Sequence, residues 1–368
     1  MNNKSARVHE PLIHITKREV GTGRSVGIHA LGILAALLVC GLFIILFTGL
    51  SPVAVYKAMY DGTYGGEITR IPSLHRAAIL LCLSLAVTPA FKMKFWNLGA
   101  EGQALIGAVI SAYCMMNFGG SLDQTTLLIL MFVASVIGGA IWALIPAICK
   151  ALWNTNETLF TLMMNYVAMT LVSYFIMSND RSGRSDLGII NERTGFGYLP
   201  ELLGKPYVFN IVISTVVLVV IFVYMRYSKQ GYEISVVGES ENTARYIGIN
   251  VKKVIIRTVA ISGALCGLVG FMIVSGDKHS LYTDIMGGQG FTAVMVSWMS
   301  KFNPVMMVLV SLLIVFLGDG GKSATSAFNA DNSIGDILTA IVIFFIIGCE
   351  FFTRYKVNFR HSKKEGNK

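Results

Sequence analysis

The chain has 368 residues, of which 54% are hydrophobic and 14% are charged, and its mean hydropathy is +0.63. This composition excludes an ordinary soluble domain and indicates an integral membrane protein. The 30 basic residues outnumber the 21 acidic ones, but they lie at the ends of apolar runs, so nucleic acid is not an expected partner. Six cysteines occur singly and form no CxxC pair, so the sequence predicts neither a metal site nor a bound cofactor.

Ten apolar runs follow one another, and a helix needs about 20 apolar residues to cross a membrane. They lie near residues 28–50, 73–91, 96–117, 126–148, 158–177, 207–225, 255–275, 289–300, 303–318 and 334–350. We therefore expect an all-α polytopic membrane protein of about ten transmembrane helices. Residues 1–27 would form a cytoplasmic N-terminal segment, 28–353 the transmembrane domain and 354–368 a basic cytoplasmic tail.

The distribution of basic residues predicts the orientation. With the N-terminus inside, the predicted inner segments carry 21 of the 30 Lys and Arg residues, so both termini are expected in the cytoplasm. Ten spans divide into two sets of five with opposite orientation, which is the layout of an inverted repeat.

The third and eighth predicted spans open with related segments, at 97–103 and 287–291, and both contain glycine and glutamine. Glycine-interrupted segments at matching places in two halves indicate a solute path between them, although small residues also serve close helix packing. The candidate path residues offer hydrogen bonds or aromatic faces: Asn97, Glu101, Gln103, Gln289, Phe291, Trp96 and Asn165.

Glu101 is an ionisable residue in an otherwise apolar stretch, so we expect it to face protein or a water-filled cavity. The alternative is a helix end at the cytoplasmic surface, where Lys92 and Lys94 neutralise it. Asn154 and Glu157 have the spacing of a capping box at the start of the fifth span.

The longest predicted inner loop, at about 228–254, contains a short candidate helix that Ser240 can cap and Gly248 can end. An ordinary structured loop is one interpretation. A surface helix on which a soluble partner pushes is the other. The candidate residues for such a contact are Glu239, Ser240, Ala244, Arg245, Tyr246 and Gly248.

The predicted outer loop, at about 178–206, carries three arginines that could meet acidic groups on an external protein. They are Arg181, Arg184 and Arg193.

The sequence contains no HExxH and no P-loop, so ATP-driven work would need another chain. Two alternatives remain at this point. One is an intramembrane enzyme, such as a lipid-linked transferase, with Glu101 and Glu157 as its acid and base. The other is a proton-coupled secondary transporter that uses Glu101.

Four blocks in order, at 95–103, 150–166, 231–270 and 288–304, carry a resemblance to a known family. The chain resembles the membrane permeases of bacterial binding-protein-dependent ABC importers for nucleosides and simple sugars, and most closely the nucleoside branch. It departs from the family pattern at Trp96, where a smaller apolar residue is common, and at Trp298.

The resemblance implies a ten-helix fold with inverted repeats, a second permease subunit, ATPase subunits that use ATP-Mg and an extracytoplasmic solute-binding lipoprotein. It also implies that the loop around 239–248 contacts the ATPase. We therefore expect a nucleoside permease of the bacterial cytoplasmic membrane that works by alternating access, with a simple sugar as the alternative solute.

Overall fold

The computed structural model describes residues 13–17, 22–180, 184–202, 204–329 and 331–359. Two π-helical turns, Asp61–Gly65 and Val274–Lys278, adjoin α-helices. The strands are β1 (Ile13–Lys17) and β2 (Tyr355–Phe359). The helices in chain order are α1 (Thr22–Thr48), α2 (Pro52–Tyr60), α3 (Glu67–Lys92), α4 (Ala100–Phe118), α5 (Gln124–Trp153), α6 (Glu157–Asn179), α7 (Val208–Tyr227), α8 (Lys229–Glu239), α9 (Glu241–Tyr246), α10 (Val251–Ile273), α11 (Gln289–Met299), α12 (Pro304–Ala327) and α13 (Asn332–Arg354).

Eight helices among the described residues are long and apolar enough to cross a membrane, so this is a multi-pass helical membrane protein. The other two predicted spans correspond to α4 and α11. Glu101 and Gln103 at the start of α4 lower its mean hydropathy. Helix α11 has 11 residues. It rises only about 16 Å, roughly half the hydrocarbon thickness. The count of ten spans and the inverted repeat therefore stay predictions.

One compact unit consists of Met1–Gly62 and Leu317–Lys368. In it α1 packs against α13, and the Cys40 thiol donates to the carbonyl oxygen of Leu338 at 3.7 Å. Strands β1 and β2 pair antiparallel, which adds a small sheet to the expected all-α fold. The pairing brings together the segment before α1 and the segment after α13.

The other compact unit is Thr63–Phe316, and helices α3 and α10 are its most buried spans. Helix α10 packs against α3, α4 and α5 through small residues. A Cβ on Gly107 would lie 2.6 Å from Gly267 Cα, and one on Gly139 would lie 2.7 Å from the same atom. Three backbones therefore touch, which is the packing that small residues allow in membranes. This contact fixes α4, which carries the candidate site.

The connecting segments of this second unit fall into two groups. At one end, Leu187 N donates to Leu281 O at 3.0 Å and Ile190 N donates to His279 O at 2.8 Å, which joins two predicted outer segments. At the other end, an apolar cluster combines three predicted inner segments and includes Phe95, Ala151 and Val237. The alternation of the spans across the membrane stays a prediction.

Candidate functional site

Glu101 lies in the first turn of α4 and is only 2% exposed. Its Oε1 accepts a hydrogen bond from the backbone N–H of Gly288 at 3.1 Å. Gly288 has φ +74° and directly precedes α11. A carboxylate at a helix N-terminus is favoured because it satisfies N–H groups that lack helical partners and complements the helix dipole. Glu101 therefore joins the openings of the third and eighth predicted spans.

These two openings pack directly against each other, since a Cβ on Gly290 would lie 2.7 Å from Glu101 Cβ. The two openings touch at this point, and the solute path expected between them stays a prediction. Of the two lysines that the alternative places beside Glu101, Lys94 has another partner. The Lys94 ammonium group lies instead 3.5 Å from the carbonyl oxygen of Glu239, to which it donates.

Asn97 is fully buried just before α4 and is hydrogen-bonded on both sides of its amide group. Its Nδ2 donates to Ser262 Oγ at 3.1 Å and to Gln103 Oε1 at 3.3 Å. Gln103 Nε2 in turn donates to Asn97 Oδ1 at 3.0 Å. Asn97 therefore joins the segment before α4 to α10, and Gln103 of α4 holds the Asn97 amide in place.

Asn165 on α6 makes the buried interhelical hydrogen bonds that a polar residue deep in a span suggests. Its Oδ1 accepts from Gly102 N at 2.9 Å, and its Nδ2 donates to the carbonyl oxygen of Leu98 at 2.8 Å. The Thr161 hydroxyl accepts from Leu98 N at 3.2 Å. Helix α6 thus supports the non-helical segment that leads into α4.

Two buried acceptor atoms at this junction have no hydrogen-bond partner within the described structure: Glu101 Oε2 and Gln289 Oε1. Buried polar atoms without partners are costly. A donor from water or from a solute hydroxyl would satisfy them.

Aromatic side chains lie along α11 and beside the start of α4. Phe291 is 45% exposed and Trp298, seven residues later on the same helix face, is 47% exposed. The ring of Trp298 lies 5.0 Å from that of Trp96, which is 42% exposed, and the buried Phe91 contacts both by its edge. In the sequence Trp298 stands out only as a departure from the family pattern, and it is not among the candidate path residues. Its spacing of seven residues from Phe291 could have placed both on one face of α11.

The inner loop forms the short capped helix that the sequence predicts. Ser240 Oγ accepts from Thr243 N at 3.3 Å at the start of α9, and Gly248 after it has φ +83°. Ala244 is fully buried, whereas Tyr246 is 94% exposed.

The exposed face of α9 also carries an ion pair, since Arg245 Nη2 lies 3.3 Å from Glu241 Oε2. Ile247, just after the helix, is 55% exposed. Arg245, Tyr246 and Ile247 therefore form the surface that a partner could contact, which we call the α9 surface. Ala244 instead packs in the buried apolar cluster with residues of α8 and α10.

In the predicted outer loop Arg184 and Arg193 are exposed, while Arg181 lies outside the described residues. Nearby, the ring of His279 stacks on that of Tyr198 with centroids 3.7 Å apart. Burial lowers the pKa of His279 below its ordinary value, although Asp277 and a backbone hydrogen bond oppose this shift. Burial therefore favours the neutral form of the ring over the charged form.

The start of α6 corrects the predicted capping box. Asn156, not Asn154, caps the helix, since its Oδ1 accepts from Leu159 N at 3.1 Å. Asn154 has φ +51° and ends α5. Glu157 pairs with Lys150 at 2.9 Å, whereas Glu101 caps α11, so each carboxylate has a partner of its own.

Comparisons with known proteins agree with this architecture. The Glucose ABC transporter permease protein TsgB13 of Haloferax volcanii is 30% identical to this chain. The similarity covers 95% of this chain and 94% of that protein. The Guanosine ABC transporter permease protein NupP of Bacillus subtilis is 28% identical, over 84% of this chain and 89% of that protein. The Nucleoside ABC transporter permease protein NupB of Lactococcus lactis is 24% identical, over 94% and 92%.

The family model described as "Branched-chain amino acid transport system / permease component" matches residues 71–347. That match covers most of the chain, and the three relatives carry the same kind of name. The expected family is confirmed. The chain belongs to this family of ABC transporter permeases, as a membrane subunit that is not itself an enzyme.

Proposed function

We propose that this chain moves nucleosides across the bacterial cytoplasmic membrane by alternating access. Separate ATPase chains that use ATP-Mg would supply the energy. A solute-binding lipoprotein would deliver the solute, and a second permease subunit, a different chain, would complete the path. Membership of the ABC permease family counts against the intramembrane enzyme and against the proton-coupled transporter.

The junction of α4 with α11 is the observation that carries this proposal. Non-helical backbone such as Gly287–Gly288 is tolerated in a membrane domain where protein covers it or where it lines a water-filled cavity. Transporters commonly bind solutes at such broken helices. Because the two openings touch, the path would run along the exposed face of α11, between this chain and the second permease subunit.

The chemistry of this face suits a nucleoside. Behind this face lie two buried acceptors without partners among the described residues, Glu101 Oε2 and Gln289 Oε1, which would hydrogen-bond ribose hydroxyls through water. Trp96, Trp298 and Phe291 expose rings on which a base can stack. Such stacking contributes about 1–3 kcal/mol per base in single-strand binding proteins. Asn97, Gln103 and Asn165 would support the path from behind.

A simple sugar is the second candidate, because the relative that is 30% identical is named as a glucose permease. Sugar hydroxyls would also satisfy the free acceptors. The aromatic rings favour the nucleoside, and the support for it includes the guanosine and nucleoside permeases among the relatives.

The test is uptake of labelled guanosine, uridine and glucose by proteoliposomes that contain the complex with its ATPase and binding protein. We expect nucleoside uptake that excess glucose does not reduce. Trp298→Leu, which keeps an apolar side chain, should lower nucleoside uptake by about tenfold if one base stack is lost. The control is Tyr113→Leu, which changes an exposed aromatic residue on α4. Glucose uptake without nucleoside uptake would establish the second candidate instead.

We also propose that the α9 surface contacts the ATPase and that Glu239, Ser240, Ala244 and Gly248 hold α9 in position. The support is an almost fully exposed aromatic side chain, Tyr246, at the tip of the predicted inner loop. Aromatic residues and arginines are the usual anchors of protein interfaces. Arg184 and Arg193, together with Arg181, would contact acidic residues of the binding protein.

A further inference from the structure

Glu233 on α8 and Arg257 on α10 form an ion pair within the described structure. Arg257 Nη2 donates to Glu233 Oε2 at 3.0 Å, and the side chains are 25% exposed for Arg257 and 18% for Glu233. A pair this sheltered is screened less than one in open solvent. Removal of one partner leaves the other charge uncompensated. The contact therefore holds α8 and α10 in a defined register.

Helix α8 is also the support of α9. Ile234 and Val237 of α8 and Ala244 of α9 belong to one buried apolar cluster together with Val254 and Ile255 of α10. Apolar contacts are non-directional and allow sliding. The Glu233–Arg257 ion pair adds a directional contact between α8 and α10.

Arg257 lies between the inner loop and the candidate path. Five residues further along α10, Ser262 accepts the hydrogen bond from Asn97 Nδ2. Asn97 holds the segment that begins α4, and Glu101 of α4 caps α11. A continuous series of contacts thus runs from α9 through α8 and α10 to the junction of α4 with α11.

We propose that the Glu233–Arg257 ion pair transmits the displacement of α9 to α10, and through Asn97 to the solute path. Glu233 and Arg257 are then positioning residues for transport, which touch neither solute nor ATPase. This inference rests on the proposed contact of the α9 surface with the ATPase. It adds the element that converts that contact into motion of the membrane helices.

The test uses the complete complex in proteoliposomes, with nucleoside uptake and ATP hydrolysis measured in the same vesicles. In Arg257→Met and in Glu233→Gln, we expect the number of nucleosides moved per ATP to fall by about fivefold while hydrolysis continues. The exchange of both charges, Glu233→Arg with Arg257→Glu, should restore much of this ratio.

The control is Lys150→Met, which breaks a second inner ion pair of similar length, at 2.9 Å, and similar exposure, 22% and 14%. That pair joins the end of α5 to the start of α6, and its loss should leave the ratio unchanged. An unchanged ratio in assembled Arg257→Met or Glu233→Gln complexes would overturn the proposal. An equal fall in Lys150→Met would overturn it too, since general loosening would then explain both.

A further variant, Tyr246→Ala, separates this inference from the proposed function on which it rests. If Tyr246→Ala changes neither uptake nor hydrolysis, the α9 surface is not the ATPase contact. If Tyr246→Ala lowers uptake per ATP and the Arg257 and Glu233 variants do not, only the role of the ion pair fails.

Discussion

Glu101 Oε1 accepts a hydrogen bond at the start of α11, and Oε2 has no partner among the described residues. Substitution by Gln keeps an acceptor for the Gly288 N–H but removes the charge that complements the helix dipole, which contributes about 0.3–2 kcal/mol. Substitution by Ala also leaves that N–H without a partner, at a further cost of about 1–3 kcal/mol. The expected order of melting temperatures in detergent is therefore wild type, Glu101→Gln, then Glu101→Ala.

Size-exclusion chromatography after heating would measure this order, and uptake should fall in the same sequence. The matched control is Glu67→Ala, in the first turn of α3 and exposed. If Glu101→Ala melts with the wild type and transports normally, the carboxylate does not hold α11.

At single residues the sequence predicted which side chains are buried and polar but not what they bind. Asn97, Gln103 and Asn165 stood out because amides are rare in apolar spans, and all three are buried. Their partners are mainly backbone groups and residues distant in the chain, such as Ser262, 165 positions from Asn97. Spacing along one helix cannot reveal such contacts, because they depend on how helices cross.

Among the elements, α4, α5 and α10 pack closely through glycine. A Cβ on Gly267 would overlap the carbonyl oxygen of Ser135 and lie 3.1 Å from Gly139 Cα. Both neighbours are backbone atoms and cannot rotate away. Gly267→Ala should therefore separate the helices and lower the melting temperature by about 5 °C.

The control for this substitution is Gly318→Ala in α12, where a Cβ would meet nothing within 4 Å. Alanine favours the helix over glycine there, so the control should melt at the wild-type temperature or slightly above it. Equal melting of the two variants would show that the glycine contact does not limit stability.

Helix type and order followed from the apolar runs, whereas several boundaries did not. Helix α12 continues to Ala327, beyond the predicted end at 318, because polar and small residues prolong a helix without adding hydropathy. Helix α2 was missed because nine residues are too few to register as a span. The pairing of β1 with β2 was missed as well, since its partners are more than 300 positions apart.

For the whole molecule, the assigned orientation predicts that Arg184 and Arg193 face the binding protein. Reversal of both charges, Arg184→Glu with Arg193→Glu, should slow association by about tenfold at low salt and much less at high salt, because exposed charges act mainly by steering. Surface plasmon resonance with the complex in nanodiscs would measure this rate.

Reversal of Lys229 and Lys252 to Glu, on the predicted inner side, serves as the control for net charge. An association rate that is the same for the wild type and the Arg184/Arg193 variant would exclude these arginines from the docking surface.

The capping of α11 by Glu101 limits how the transporter can open. To part α11 from α4, the protein would have to leave a carboxylate and a helix N-terminus uncompensated where water is scarce, a cost of several kcal/mol. The two segments should therefore travel as one rigid piece throughout the cycle. The gate would then lie at the interface where Phe291, Trp298 and Trp96 meet the second permease subunit. Each subunit would supply one side of it.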